Sequence, residues 1–412
     1  MKDKNISTKI PLFLVFLTIL ITVIPAISFA DADKIFKENS KAVVVVVTYN
    51  KDGKPISQGS GFIVRADGAI VTNYHVISNA KNIKVKAGDK VLDVEGLIHA
   101  DKENDLVILK VKGQNLPTVK LGAIEKISIG EKVYVISSPE GLENTISDGI
   151  LSGIREITPD RKILQITAPV SKGSSGGAVF NKDGEIIGIA TFIIEEAQNL
   201  NFAMPVNVIK DKISSKKVTA LKDSAIEDYK KTAEYWFYLG VAYSHANMWE
   251  EACESFKQTI KINPDLAEAH NNLGTAYHKL GMYKEAIGVY KQAIRINPND
   301  AITHSNLALA YDKQGRYQDS IEAFKQAIQL NPNYELDYIN LANIYIRLGM
   351  YKEAIETYKQ RIRLNPNSVV FHYYLGIAYI YMNDKDSALE EYKILKNLNS
   401  EKAIELFNLV YK

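Results

Sequence analysis

Two hydrophobic patterns divide the chain. Short runs of β-branched and apolar residues at 42–49, 61–64, 69–72, 91–98, 106–111, 132–136, 163–167 and 185–191 alternate with turn signals. These predict strands. Turns are marked by Lys51-Asp52-Gly53-Lys54, Asp67-Gly68 and the hairpin Asn181-Lys182-Asp183-Gly184. Many short strands at such spacing indicate an all-β sandwich or barrel. A short leading helix is predicted over 31–40 and a short closing helix over 205–213. Residues 215–232 are polar and charged, and predict a linker or leading helix.

From residue 233 the apolar period becomes helical. Pro264, Pro298, Pro332 and Pro366 recur every 34 residues, each after an asparagine. This is the tetratricopeptide period. Leu239, Leu273, Leu307, Leu341 and Leu375 mark the first helix of each repeat. Tyr243, Tyr277, Tyr311, Tyr345 and Tyr379 follow four residues on, and Phe256, Tyr290, Phe324, Tyr358 and Tyr392 mark the second helix. Small residues Gly240, Gly274, Ala308, Ala342 and Gly376 allow close helix approach. Five repeats are predicted over 233–402, with an amphipathic capping helix over 403–412. The stripes are core positions of an all-α solenoid, not a cofactor box.

Such a solenoid presents a concave face to a protein or peptide ligand. Asn272, Asn306 and Asn340 share one repeat position and are candidates to line it, though asparagine is also the repeat's commonest residue there. His270, His304 and His372 share a helix-packing position. They read as structural, since no HExxH or CxxC accompanies them. No metal or cofactor is expected.

Ahead of both regions, Lys2, Lys4 and Lys9 precede an apolar stretch at 10–24, and Ser28 and Ala30 offer small residues at the positions a signal peptidase reads. Residues 1–30 are therefore predicted to be a signal peptide cleaved after Ala30. The rival reading is an uncleaved anchor, but Pro11, Thr18, Thr22 and Pro25 break a stretch that must reach ~20 apolar residues to span a bilayer. A periplasmic or extracellular location follows. Lys plus Arg number 50 and Asp plus Glu 48; setting aside Lys2, Lys4, Lys9 and Asp3 leaves 47 of each. That balance argues against a nucleic-acid partner. The lone Cys253 excludes an intrachain disulfide, so packing alone must hold the fold.

The chemistry centres on Lys172-Gly173-Ser174-Ser175-Gly176-Gly177-Ala178, a serine-bearing turn flanked by apolar runs. A serine hydroxyl needs a base and donors aimed at the oxyanion it creates. His75 follows the 69–72 strand, and Asp105 heads the 106–111 strand. Asp101 and Glu103 compete with Asp105 as the acid, and His99 reads as a structural strand residue. The order His, Asp, Ser is one of three known for this constellation.

Gly59-Ser60-Gly61-Phe62-Ile63-Val64, Thr72-Asn73-Tyr74-His75-Val76, Asn104-Asp105-Leu106-Val107-Ile108-Leu109, Gly173-Ser174-Ser175-Gly176-Gly177 and Asn201-Phe202-Ala203-Met204-Pro205 together resemble the HtrA/Deg family of trypsin-like serine proteases. The resemblance spans about residues 31–214. It implies two six-stranded barrels with a cleft between them. It also implies Ser175 as nucleophile, His75 as general base, Asp105 as its orienter, and backbone N–H groups of Gly173, Ser175 and Ser174 as oxyanion donors. Ser174, Ala178, Thr167 and Pro169 depart from the family's usual residues. A mobile activation loop is implied at 137–148. Where relatives continue into a PDZ domain, this chain continues into repeats.

By analogy with trypsin-like enzymes, the resemblance implies a substrate pocket near Ala168, Pro169, Ala190, Thr191 and Phe192. No acid lies there, so an apolar residue before the cleaved bond is expected. The strand at 188–192 is expected to pair with substrate backbone. The leading reading is an exported serine endopeptidase acting on polypeptide substrates, with repeats that recruit substrate or adaptor. A binding adaptor on a protease scaffold and a chaperone-like holder are the alternatives. A homo-oligomer stays open.

Overall fold

The computed structural model describes residues 26–139, 144–158, 161–193, 201–224 and 226–412. The expected signal peptide lies almost wholly outside the described residues. The first described helix, α1, runs Ala26–Asn39, across the expected cleavage junction. Among the described residues no helix is long and apolar enough to cross a membrane. The chain divides into two compact units between Tyr235 and Trp236.

The first unit holds two closed six-stranded barrels. β1 (Val43–Tyr49), β2 (Pro55–Arg65), β3 (Ala69–Thr72), β4 (Asn82–Ala87), β5 (Lys90–Asp101) and β6 (Leu106–Val111) run in the order β5-β4-β1-β2-β3-β6, and β5–β6 pairing closes the ring. A two-residue strand β7 (Lys120–Leu121) leads to the second barrel. That barrel comprises β8 (Lys132–Ser137), β9 (Thr145–Thr158), β10 (Arg161–Ile166), β11 (Ala178–Phe180), β12 (Glu185–Ile193) and β13 (Asn201–Pro205). Its order is β11-β8-β9-β10-β13-β12, closed by β11–β12. Closure removes sheet edges, which would otherwise invite pairing with other chains.

Alternation along the strands fills each interior. Val44, Val46, Ile63, Ile70, Val85, Val107 and Leu109 meet inside the first barrel. Val133, Val135, Leu151, Leu164, Ile166 and Val179 meet inside the second. Each such side chain contributes about 1.5–3 kcal/mol on burial.

The structure corrects the sequence reading in several places. The predicted closing helix over 205–213 is a single 3-10 turn, Val206–Ile209, after β13. Residues 215–232, expected as linker or leading helix, lie on the first barrel: β14 (Thr219–Ala220) adds to β5, with Thr219 opposite Leu97.

The second unit is an antiparallel run of helices, the first of which starts at Ala233, still within the first unit. Five pairs, α3 (Ala233–His245) with α4 (Trp249–Ile262), α5 (Ala267–Lys279) with α6 (Tyr283–Ile296), α7 (Ala301–Lys313) with α8 (Tyr317–Leu330), α9 (Glu335–Arg347) with α10 (Tyr351–Leu364) and α11 (Val369–Tyr381) with α12 (Lys385–Asn397), are followed by α13 (Lys402–Val410). The expected stripes are its core. Phe256, Tyr290, Phe324 and Tyr358 are almost fully buried. Tyr290 lies so close over Gly274 that an added Cβ would sit 2.5 Å from its ring. Gly376 departs from this rule: Leu406 of α13 covers it, 2.4 Å from an added Cβ, in place of an aromatic from the repeat's own second helix.

The shared histidines tie down the Asn-Pro turns. Nε2 of His270, His304 and His372 lies 2.8, 3.0 and 2.8 Å from the carbonyls of Pro264, Pro298 and Pro366. A carbonyl only accepts, so Nε2 carries the proton in each. His372 also turns Nδ1 to the Glu391 carboxylate at 2.6 Å, with both side chains largely buried.

Glu391 beside His372 holds the imidazole above its ordinary 6.5. The folded state therefore holds this proton more tightly than the unfolded chain. The stabilisation is fully present below 6.5 and is lost as pH rises through the raised folded value. We expect the solenoid's denaturant midpoint to fall as pH rises across that window, and His372→Gln to flatten the fall. An equal slope in the variant sinks this assignment.

Candidate active site

His75, the candidate base, is presented by a one-turn helix, α2 (Tyr74–Ile77), immediately after β3. Its placement depends on Asp105, which is fully buried and sits at φ +48 in the turn entering β6. The Asp105 backbone carbonyl accepts from the Asn73 side-chain amide at 2.8 Å and from the Tyr74 N–H at 3.1 Å. Its carboxylate accepts from the His75 N–H at 2.9 Å and faces His75 Nδ1 at 2.6 Å. An ionised carboxylate only accepts. Nδ1 therefore carries a proton, and the ring is 28% exposed.

The competing acids have other partners. Asp101 accepts from the Asn104 N–H at 3.0 Å and its side-chain amide at 2.8 Å, which builds the turn. Glu103 faces Arg161. His99 lies on β5 opposite Ile108, where burial lowers its pKa.

The serine turn is built from two successive tight turns. Ser174 N–H donates to Ser171 O at 2.9 Å, and Gly177 N–H donates to Ser174 O at 2.8 Å. The third residue of each turn, Gly173 at φ +90 and Gly176 at φ +84, adopts the backbone that a type II turn requires there. Ser175 falls between them. Among the described residues, the N–H groups of Gly173 and Ser175 have no acceptor. Ser174 is a correction: its N–H is spent on Ser171. Its buried hydroxyl meets the Ser137 hydroxyl at 3.1 Å and the Ser171 N–H at 3.2 Å. Of the three candidate donors, Gly173 and Ser175 are left with N–H groups that no acceptor among the described residues takes.

The first barrel holds this turn through β2. Ser60 N–H donates to Ser175 O at 2.7 Å, and Ser60 Oγ donates to Gly173 O at 2.8 Å. Ser60 Oγ also accepts from the Ser138 N–H at 2.8 Å. Thr72, on the strand leading to His75, donates its hydroxyl to Ser60 O at 2.6 Å. Sequence reasoning missed Ser60 and Thr72; small hydroxyl residues set in apolar strands are the signal that could have found them.

Thr191 on β12 joins Asp105 and Ser175. Its hydroxyl donates to Asp105 Oδ2 at 2.7 Å, and its carbonyl accepts from Ser175 Oγ at 3.2 Å. Among the described residues no hydrogen bond joins His75 to Ser175. The hydroxyl points to Thr191 instead. Thr191, expected in the pocket, thus commits its polar atoms to the site's frame.

Ala168 is buried with its carbonyl on the Asn201 amide at 2.9 Å. The exposed Pro169 accepts from the Ser147 hydroxyl at 2.6 Å. Ala190 is buried and exchanges backbone bonds with Gly176 and Gly177. The Phe192 side chain lies outside the described residues, as do residues 140–143 of the expected activation loop. Residues 188–190 are already paired with β11 and β13, so they offer no free edge to substrate. The β12–β13 ladder slips between Ala190 and Ile193.

In the repeats, Asn272 is half-buried. Asn306 donates its amide to the Asn271 side chain of the preceding repeat at 3.0 Å. Asn340 lines a cavity of about 370 Å³ with Asp312, Asn343 and Arg347.

Residues 59–189 match the trypsin-like peptidase domain family. Residues 246–281, 276–315, 342–383, 301–334 and 323–356 match tetratricopeptide repeat families. A Pseudomonas putida protein named "Probable periplasmic serine endoprotease DegP-like" is 38% identical over 161 residues, covering 38% of this chain and 34% of that protein. A Halomonas elongata protein of the same name is 40% identical over 162 residues, again covering 38% and 34%. The chain therefore spans about a third of the length of these curated relatives. The crystal structure of the serine endoprotease from Yersinia pestis matches at 32% identity and TM-score 0.40, covering 44% of this chain and 65% of that one.

Proposed function

From a chain that carries a trypsin-like peptidase domain with DegP/HtrA homologues ahead of tetratricopeptide repeats, we propose an exported serine endopeptidase whose repeats recruit substrate or adaptor proteins. The carrying observation is the buried Asp105 carboxylate 2.6 Å from His75 Nδ1, with Thr191 linking that carboxylate to the Ser175 hydroxyl. In this reading a turn of the Ser175 side chain away from Thr191 O delivers its proton to His75 Nε2, and Oγ attacks the scissile carbonyl. The Gly173 and Ser175 N–H groups receive the oxyanion. His75 then protonates the leaving amine, and water completes hydrolysis by the same route. One such donor is worth about 3–4 kcal/mol of transition-state stabilisation.

An apolar residue before the cleaved bond fits the absence of an acid at Ala168, Pro169, Ala190 and Thr191. Export with cleavage after Ala30 fits the apolar segment at 10–24 and the word periplasmic in the relatives' names. The rival reading, an inactive scaffold serving as a repeat-borne adaptor, draws on the Ser175 hydroxyl being turned to Thr191 O.

A fluorophosphonate separates the two. It should label the wild-type protein on Ser175 and leave Ser175→Ala unlabelled, and a peptide library should be cut after apolar residues. Intact mass should place the mature start at Asp31. No labelling of folded wild-type protein would sink the protease reading, and cleavage after Lys or Arg the pocket assignment.

A further inference from the structure

The stretch that leads out of the first barrel lies directly on the helical turn that bears His75. Glu227 N–H donates to the Tyr74 phenol oxygen at 3.1 Å. Ser78 Oγ donates to Glu227 O at 3.2 Å and accepts from the Tyr229 N–H at 2.8 Å. Lys102 Nζ sits 2.8 Å from the Glu227 carboxylate. These contacts fasten residues 227–229 to both ends of α2, at Tyr74 and at Ser78. Asp228 receives the Lys230 N–H at 3.2 Å and so shapes the 3-10 turn Tyr229–Lys231.

The turn drives Tyr229 into the protein. Its ring is fully buried and lies 6.4 Å from the His75 imidazole, tilted by only 27°. It also packs 5.8 Å from the Tyr74 ring and edge-on, at 5.8 Å, to Tyr235 in the first turn of α3.

The Asp105 carboxylate fixes one atom of the imidazole, Nδ1. A single hydrogen bond leaves the ring free to pivot about that contact, and a pivot carries Nε2 away from the nucleophile. A flat aromatic wall alongside the ring blocks the pivot on that side. We propose that Tyr229 is a positioning residue for His75, supplied by the segment that carries the chain into its repeats. The proposal rests on the triad reading above. It adds a residue that lies outside the matched peptidase region 59–189. The aromatic face does the positioning, so the ring matters and the phenol oxygen does not.

The test compares Tyr229→Phe with Tyr229→Leu in the full chain, by fluorophosphonate labelling rate and by the downfield proton resonance of His75 Nδ1–H. Tyr229→Phe should label at about the wild-type rate and keep the resonance. Tyr229→Leu, which keeps apolar bulk but loses the flat face, should slow labelling by about tenfold or more. Its resonance should broaden or vanish while peptide KM stays near wild type. A wild-type rate with an intact resonance in Tyr229→Leu overturns the proposal. If that variant loses its circular dichroism, Ser78→Ala combined with Tyr74→Phe and Lys102→Met decides. The triple variant removes the side-chain anchors of residues 227–229, so slower labelling with a broadened resonance supports the proposal and no change overturns it. If wild-type protein is not labelled at all, the protease reading fails on its own, and the resonance still decides whether Tyr229 holds His75 against Asp105.

Discussion

Asp105→Asn should lower kcat by about 10⁴-fold, the loss expected when an imidazole is held in the wrong tautomer. The carboxylate accepts from three donors: the His75 N–H at 2.9 Å, His75 Nδ1–H at 2.6 Å and the Thr191 hydroxyl at 2.7 Å. An asparagine has one oxygen and one NH₂ group for the same places. Whichever way it turns, an N–H faces a donor. The least damaging repair moves the histidine proton to Nε2, where the lone pair is needed for the serine. The variant should also unfold about 1–3 kcal/mol more easily, because buried donors lose an acceptor. Steady-state hydrolysis of an apolar peptide, alongside a denaturant titration, measures both. Activity near wild type would remove Asp105 from the proposed site.

Gly176→Ala should destabilise the first unit by about 2–5 kcal/mol, combining a left-handed backbone with overpacking. Gly176 sits at φ +84, and an added Cβ would lie 2.1 Å from Ser60 O and 2.4 Å from Thr72 Oγ1. Ser60 O is backbone within β2, already receiving the Thr72 hydroxyl, so it cannot give way as a flexible side chain would. The turn must shift, and Ser175 with it. Fluorophosphonate labelling should be lost along with the lowered unfolding midpoint. Gly288→Ala is the matched control: nothing lies within 4 Å of its added Cβ in α6. There the change should stabilise by about 0.5–1 kcal/mol. Equal effects at the two positions would refute the close-approach argument.

How much of this was legible depends on the physical origin of each feature. The repeats were readable because one packing solution recurs: Tyr290 over Gly274 follows the same rule as Phe256 over Gly240 one repeat earlier. The valine-rich β1 and the apolar β6 announced themselves through propensity. β9 did not. Ser147 and Asp148 fell in the expected loop at 137–148 and 149–158 carried no predicted element, yet Thr145–Thr158 is held as strand because β8 and β10 pair with it on both sides. β4 escaped because lysines interrupt its few apolar residues. The closing helix over 205–213 was over-read from a short apolar run that stops after one 3-10 turn.

At the candidate site, residue types and their order along the chain were enough to nominate His75, Asp105 and Ser175. What could not be read was which atoms satisfy which. Ser174 looked as free a donor as its neighbours until the turn closed on Ser171 O. Thr191 looked like a pocket wall until folding brought its hydroxyl to Asp105 from a strand 86 residues away.

The sequence by itself determined a barrel-forming half followed by helical repeats, and it nominated a histidine, an aspartate and a serine as candidates for acyl transfer. Strand propensity, turn chemistry and a 34-residue period are local or repeating, so they are written along the chain. Only the tertiary structure decided that Asp105 is buried under three donors, that Ser60 clamps the serine turn, and that Tyr229 lies beside the imidazole. Each of those depends on groups far apart in sequence competing for the same few hydrogen-bonding and packing positions, and that competition is resolved only once the barrels close.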